Sequence, residues 1–128
     1  MKKKSVLVIA GSDSSSGAGI QADLKTLSAF NVYASTALTA LTAQNTLGVY
    51  KVFNIPKKFI EKQIEVIVED LDITFVKIGM LSTISIAKTI NKCLEQYLPK
   101  ASVILDPVML AKGGCPLLEK SAIKYIKN

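Results

Sequence analysis

The residues able to do chemistry fall in four short segments. These are Gly11-Ser12-Asp13 with the glycine/serine stretch that follows it to Gly19, Thr42-Ala43-Gln44-Asn45, Gly79-Met80, and Asp106-Pro107-Val108-Met109. Each follows an apolar, strand-like run, and open α/β sheets bind ligands outside the carboxyl ends of their strands. Together they offer a carboxamide, two carboxylates, backbone bared by glycine, and methionine surface. That set suits a small flat heteroaromatic ligand better than a sugar or a macromolecule. Gln44 is the most pointed of these residues, because a carboxamide has the two donors and one acceptor that match the edge of an aminopyrimidine. A glutamine in a loop is equally at home in water. Asp106 follows Val103-Ile104-Leu105, and either caps the next turn or helps hold a Mg²⁺-nucleotide. Asp23 stands near the start of a helix, where the helix dipole favours a carboxylate whatever its role. Met80 and Met109 also read as plain packing.

The stretch Gly11-Ser12-Asp13-Ser14-Ser15-Ser16-Gly17-Ala18-Gly19 fails as a Walker loop, since no lysine follows Gly17 or Gly19. Gly17-Ala18-Gly19-Ile20-Gln21-Ala22 spells a dinucleotide-binding pattern, but its first glycine lies seven residues beyond Ala10. The acid that would hold ribose is also missing from the run Thr39 to Gln44. A glycine-rich cap that merely turns the chain is the plain alternative. Gly113-Gly114-Cys115-Pro116 resembles an anion-holding turn, yet Pro116 removes an N–H that such a turn would use, so a surface turn is expected.

Composition excludes whole classes of chemistry. The chain has no histidine, which rules out histidine-based zinc sites and Ser-His-Asp catalysis. Cys93 and Cys115 have no metal-ligand spacing and read as structural thiols of a reducing compartment. The net charge is +6, but all sixteen basic residues are lysines. Without arginine, the commonest reader of guanine, a nucleic-acid partner is not expected and a solvated lysine face is. Met1-Lys2-Lys3-Lys4 before Val6-Leu7-Val8-Ile9-Ala10 imitates a signal peptide, but its apolar part is too short. With no run long enough to cross a bilayer, the expectation is a cytoplasmic protein without a membrane partner.

The elements that must position these groups alternate. Strand-like runs at 5–10, 34–40, 50–54, 73–79 and 101–106 alternate with helical patterns, which predicts an α/β fold with a mostly parallel sheet in three α/β/α layers. The spacing aligns Ile20, Leu24, Leu27 and Phe30 in a first helix. It aligns Ile60, Ile64, Ile67 and Leu71 in a second, with Pro56 in its first turn, and Ala87, Ile90, Leu94 and Tyr97 in a third that opens near Ser82-Thr83. A last helix is expected over 116–127, carrying Leu118, Ala122, Ile123 and Ile126. An alternating fold would hand that helix on to another strand, so one incomplete domain over 1–128 is expected.

The motifs Ala10-Gly11-Ser12-Asp13, Gly17 through Thr26, Thr39-Ala40-Leu41-Thr42-Ala43-Gln44-Asn45-Thr46, Lys77-Ile78-Gly79-Met80-Leu81 and Asp106-Pro107-Val108-Met109 resemble those of the hydroxymethylpyrimidine/phosphomethylpyrimidine kinases. These are the thiamine-pathway members of the ribokinase-like superfamily. The resemblance runs through the whole chain and implies its N-terminal, substrate-pocket half. It implies a kinase that uses ATP and Mg²⁺ to phosphorylate 4-amino-5-hydroxymethyl-2-methylpyrimidine and then its monophosphate. Gln44 would recognise the pyrimidine, Gly11, Asp23 and Met80 would line the same pocket, and Asp106 would lie near the Mg²⁺-nucleotide. The family's later half carries the phosphate-cradling Gly-Thr-Gly-Cys turn. No catalytic residue or metal ligand is therefore expected within these residues, and the chain alone should be inactive. A second copy or a complementary C-terminal chain is the expected partner. The rival is a non-catalytic pyrimidine-binding or assembly module that pairs through an exposed sheet edge. Two departures stand in the loop, where the family pattern reads Asp-Pro-Ser-Gly-Gly-Ala-Gly. Ser14 is expected to loosen what proline would fix, and Ser16 to resist a positive φ. Lys112-Gly113-Gly114-Cys115-Pro116 stands close to the family's Lys-Ser-Gly-Asp-Pro.

Overall fold

The structure is a computed structural model that describes residues 2–111, 114 and 116–127. In chain order the elements are β1 (Lys4–Ser12), α1 (Gly19–Ala29), β2 (Ala34–Asn45), β3 (Gly48–Asn54), α2 (Lys57–Asp70), β4 (Asp72–Ile78), α3 (Ile84–Tyr97), β5 (Ser102–Leu105) and α4 (Lys120–Lys127). The sheet order is β3-β2-β1-β4-β5. Its strands are parallel except β3, which folds back antiparallel on β2.

β1 sits in the middle with helices over both faces, which is why Leu7, Val8, Ile9 and Ala10 run without a polar break and are all buried. On one face α1 lays Ile20, Leu24 and Leu27 over Val8 and Ala10. On the other, Ile60 and Ile64 of α2 and Ile90 and Cys93 of α3 cover Leu7, Ile9, Val76 and Ile78. Ala122 of α4 joins the same core. Leu7, Ile9, Ile60, Ile64 and Ile90 are almost fully buried, each contributing about 1.5–3 kcal/mol. Burial also pushes the Cys93 thiol pKa up, so this cysteine is core and not a nucleophile. Thr83 caps α3, its side chain accepting from the Ile86 N–H at 3.2 Å, while Pro56 stands at the cap of α2 and not inside its first turn.

Two helical expectations shift. Phe30 is 75% exposed because α1 ends before it. Asn31 takes a left-handed φ of 56°, its N–H donates to Ser28 O and the Val32 N–H donates to Leu27 O. This is the Schellman closure, with asparagine where glycine is usual. The last helix starts at Lys120 and not near Pro116. Leu118 still reaches the core, but in an extended bridge to Ser82. Among the described residues no helix is long and apolar enough to cross a membrane.

Among the described residues β5 pairs only with β4, and Val103, Ile104 and Leu105 are all exposed. The parallel register places Phe75, Lys77 and Ile104 on the α1 face and Val103 and Leu105 on the other.

Candidate functional site

At the carboxyl end of the sheet the strand ends surround a cavity of about 190 Å³. A dry cavity of about 150 Å³ admits benzene, so this space is scaled to a single substituted ring.

Its floor is the glycine/serine loop, and the loop is built around Asp13. That carboxylate accepts from Ser15 N (2.8 Å), Ser15 Oγ (2.7 Å), Gly17 N (2.9 Å) and Ala18 N (2.8 Å). Burial alone would raise its pKa, but these hydrogen bonds outweigh burial and hold it below the ordinary value. Asp13 lines the cavity, yet its oxygens are occupied within the loop. Gln21 of α1 locks the same loop, accepting from Asp13 N at 2.8 Å and donating to Ser12 Oγ at 2.7 Å.

Gly19 is required twice over, by its φ of +59° and by the Gly11 carbonyl oxygen that would collide with any Cβ placed there. At Gly11 a Cβ would come within 2.7 Å of the Met80 thioether sulfur. Ser16 does take the left-handed conformation, with φ 65°, which corrects the expectation drawn from its side chain. For a non-glycine residue that backbone costs about 1–2 kcal/mol, and the four bonds to Asp13 hold it in place. Ser14 corrects the second expectation. Instead of loosening the loop, its hydroxyl bonds to the main chain of Gln44.

Gln44 stands near the end of β2, half-buried, beside a break in the β2–β3 register between Ala43 and Gln44. Its Oε1 lies 3.2 Å from Thr42 Oγ1, whose single proton is donated to Ser12 O at 2.8 Å. Met80 is buried, and its carbonyl accepts from the fully buried Thr39 hydroxyl at 2.7 Å.

The structure therefore brings Gly11, Gln44 and Met80 around one cavity. Asp23 stands behind that wall, paired at 2.8 Å with Lys77, whose side chain does line it. Asp106 is exposed beyond the end of β5 and outside the lining, so neither expected carboxylate is free on the cavity wall. Met109 packs against the α2/α3 core, and Val108 and Leu110 face the cavity in its place. Of the turn read at 113–116, Gly113 and Cys115 lie outside the described residues, as does Lys112. Sequence reasoning placed Thr42 at the strand end but gave no role to Thr39 or Lys77. Thr39 and Lys77 carried a usable signal, since a polar side chain inside a buried strand must find a partner. Among the described residues no group of three or more His, Cys, Asp or Glu could hold a metal ion.

The family model for phosphomethylpyrimidine kinase matches residues 13–128. A hydroxymethylpyrimidine/phosphomethylpyrimidine kinase of Haemophilus influenzae is 50% identical over 125 residues, which is 98% of this chain and 46% of that protein. The crystal structure of phosphomethylpyrimidine kinase from Clostridium difficile superposes with a TM-score of 0.87 at 50% identity, covering 97% of this chain and 53% of the other. A pyridoxal kinase from Staphylococcus aureus, in complex with pyridoxal, superposes with a TM-score of 0.76 at 38% identity, over 88% and 42% of the two chains. The chain spans about half the length of the curated kinases of this kind that it matches.

Proposed function

The chain belongs to the phosphomethylpyrimidine kinase family, and from that premise we propose that residues 1–128 form the acceptor-binding half of a ribokinase-like kinase domain. The reaction is phosphorylation of 4-amino-5-hydroxymethyl-2-methylpyrimidine, and then of its monophosphate, in cytoplasmic thiamine biosynthesis. One observation carries this reading: a carboxamide, on a main chain that Ser14 holds at both its N–H and its carbonyl, lines a cavity the size of one ring. In it Gln44 pairs with the aminopyrimidine edge, the Met80 thioether packs on the ring, and the bare backbone of Gly11 leaves the ring room. Asp23 acts through Lys77.

ATP with Mg²⁺ supplies the phosphoryl group when bound. Magnesium needs only one or two protein carboxylates when phosphates complete its shell, and the exposed Asp106 fits that need. Phosphoryl transfer rests on positioning and charge stabilisation. We assign the phosphate clamp to polypeptide equivalent to the relatives' remaining half, docked on the edge of β5 and on the face carrying Phe75 and Ile104. These residues on their own then bind pyrimidine without turning over ATP. A non-catalytic binding module is the second reading, favoured by a cavity that this chain's own strand ends already form.

Calorimetry with the hydroxymethylpyrimidine tests the site. Gln44→Ala weakens binding by about 1–3 kcal/mol, the cost of leaving polar ligand atoms unpaired, and unchanged affinity removes Gln44 from the site. Mixing the chain with the half of a relative that it does not cover tests the activity. ATP-dependent phosphorylation on mixing marks the kinase, and binding without turnover marks the module.

A further inference from the structure

Ser14 and Gln44 lie 30 residues apart in sequence, yet one hydroxyl joins them twice. Ser14 Oγ donates to the Gln44 carbonyl at 2.5 Å and accepts from the Gln44 N–H at 2.8 Å. A hydroxyl has one proton and two lone pairs, so this pair uses its capacity well. The place is telling, because the β2–β3 register slips between Ala43 and Gln44. A slip of this kind disrupts the local ladder, and the serine holds both main-chain groups of Gln44 at that point. Thr42, whose one proton goes to Ser12 O at 2.8 Å, lies beside the carboxamide oxygen at 3.2 Å. Ser14 in turn follows Asp13, whose carboxylate gathers the loop through Ser15, Gly17 and Ala18.

We infer that Ser14 is a positioning residue, tying the main chain of Gln44 to the glycine/serine loop so that loop and carboxamide grip the ring as one unit. The inference rests on the reading that Gln44 binds the pyrimidine. A side chain without a hydroxyl, such as proline, could make neither bond, so the tie is a device of this chain's own loop.

A double-mutant cycle on the full chain tests it, with calorimetry against the hydroxymethylpyrimidine and thermal melts alongside. Losing two neutral hydrogen bonds that orient the ligand's partner should weaken binding about 5- to 20-fold in Ser14→Ala, while Ser14→Thr keeps near-native affinity. In a Gln44→Ala background Ser14→Ala should have no further effect, because the group it positions is gone. A wild-type affinity for Ser14→Ala overturns the inference. So does an equal loss from Ser14→Ala in the Gln44→Ala background, which would mean that the hydroxyl meets the ligand itself. Unchanged binding in Gln44→Ala alone sinks the underlying reading instead, so the two failures are told apart. A general loss of structure would show as a lowered melting temperature that Ser14→Thr does not restore, and would also overturn the positioning role.

Discussion

The carboxyl ends of β1 and β2 and the outer edge of β4–β5 belong to one sheet, but their chemistry is opposite. At the first, the loop polar groups are tied inward, Asp13 to three loop residues, Gln21 to Ser12 and Ser14 to Gln44. Among the described residues no buried side-chain polar atom lacks a partner. At the second, Val103, Ile104 and Leu105 lie open on a strand with a single neighbour. Satisfied polar networks make a region rigid, whereas an open apolar edge strand invites pairing with another chain. The molecule is thus tied inward where it lines the cavity and open, with apolar side chains exposed, along β5. Substitutions at the first place should act on its own stability and binding, and those at the second on association.

The largest expected effect is at Gly19. Gly19→Ala forces a side chain into a left-handed backbone and against the Gly11 carbonyl, and should cost about 2–3 kcal/mol in urea unfolding, strain and clash combined. A cost below about 0.5 kcal/mol would mean that the loop is not rigid and would erase the contrast.

The demand on that glycine was not read in advance, but much of the fold was. The unbroken apolar run of β1 and the stripes of Ile20, Leu24 and Leu27 and of Ile60 and Ile64 each depend on near neighbours, so they announce themselves locally. So did the three cavity residues Gly11, Gln44 and Met80, because strand ends are where such sheets bind. What stayed hidden depends on partners distant in sequence. The Lys77–Asp23 pair spans 54 residues and the Ser14–Gln44 tie 30. Ser16 misled for a related reason: its own preference opposes a positive φ, and the hydrogen bonds of the loop around Asp13 override it. Phe30 misled because the stripe was carried one residue past Ala29, where α1 closes ahead of the left-handed turn at Asn31.

Acid probes the same region next. The pKa of Asp13 is held down in the folded chain, so its stabilising effect is fully present above its unfolded value, about pH 4. It is lost as pH falls through the lower folded value, because the unfolded state then takes up protons first. Unfolding free energy should therefore drop below about pH 4 in the native chain. The difference between it and Asp13→Asn should shrink over that same range. A constant difference would show that the carboxylate's charge does not organise the loop.

A smaller effect, of opposite sign, is expected at Ser16. Ser16→Gly removes about 1–2 kcal/mol of left-handed strain and adds about 0.5–1 kcal/mol of backbone entropy cost, leaving a net gain of about 0.5–1 kcal/mol. Denaturation midpoints measure it, and a loss of stability would mean that the serine side chain contributes something its φ does not reveal.

The smallest effect on the fold is expected across the sheet. Ile104 is 59% exposed, so Ile104→Lys gives up little burial and should move stability by no more than about 0.5 kcal/mol. Its effect belongs to association instead. A lysine on an edge strand opposes strand-to-strand pairing, so light scattering should find dimers or larger species in the native chain and fewer in the variant. If the native chain is already monomeric at high concentration, β5 does not draw a partner, and the contrast between an inward-tied pocket and an open edge falls with it. If instead the variant associates less but also loses several kcal/mol of stability, Ile104 is packed in solution. The β5 flank would then be as self-sufficient as the loop around Asp13.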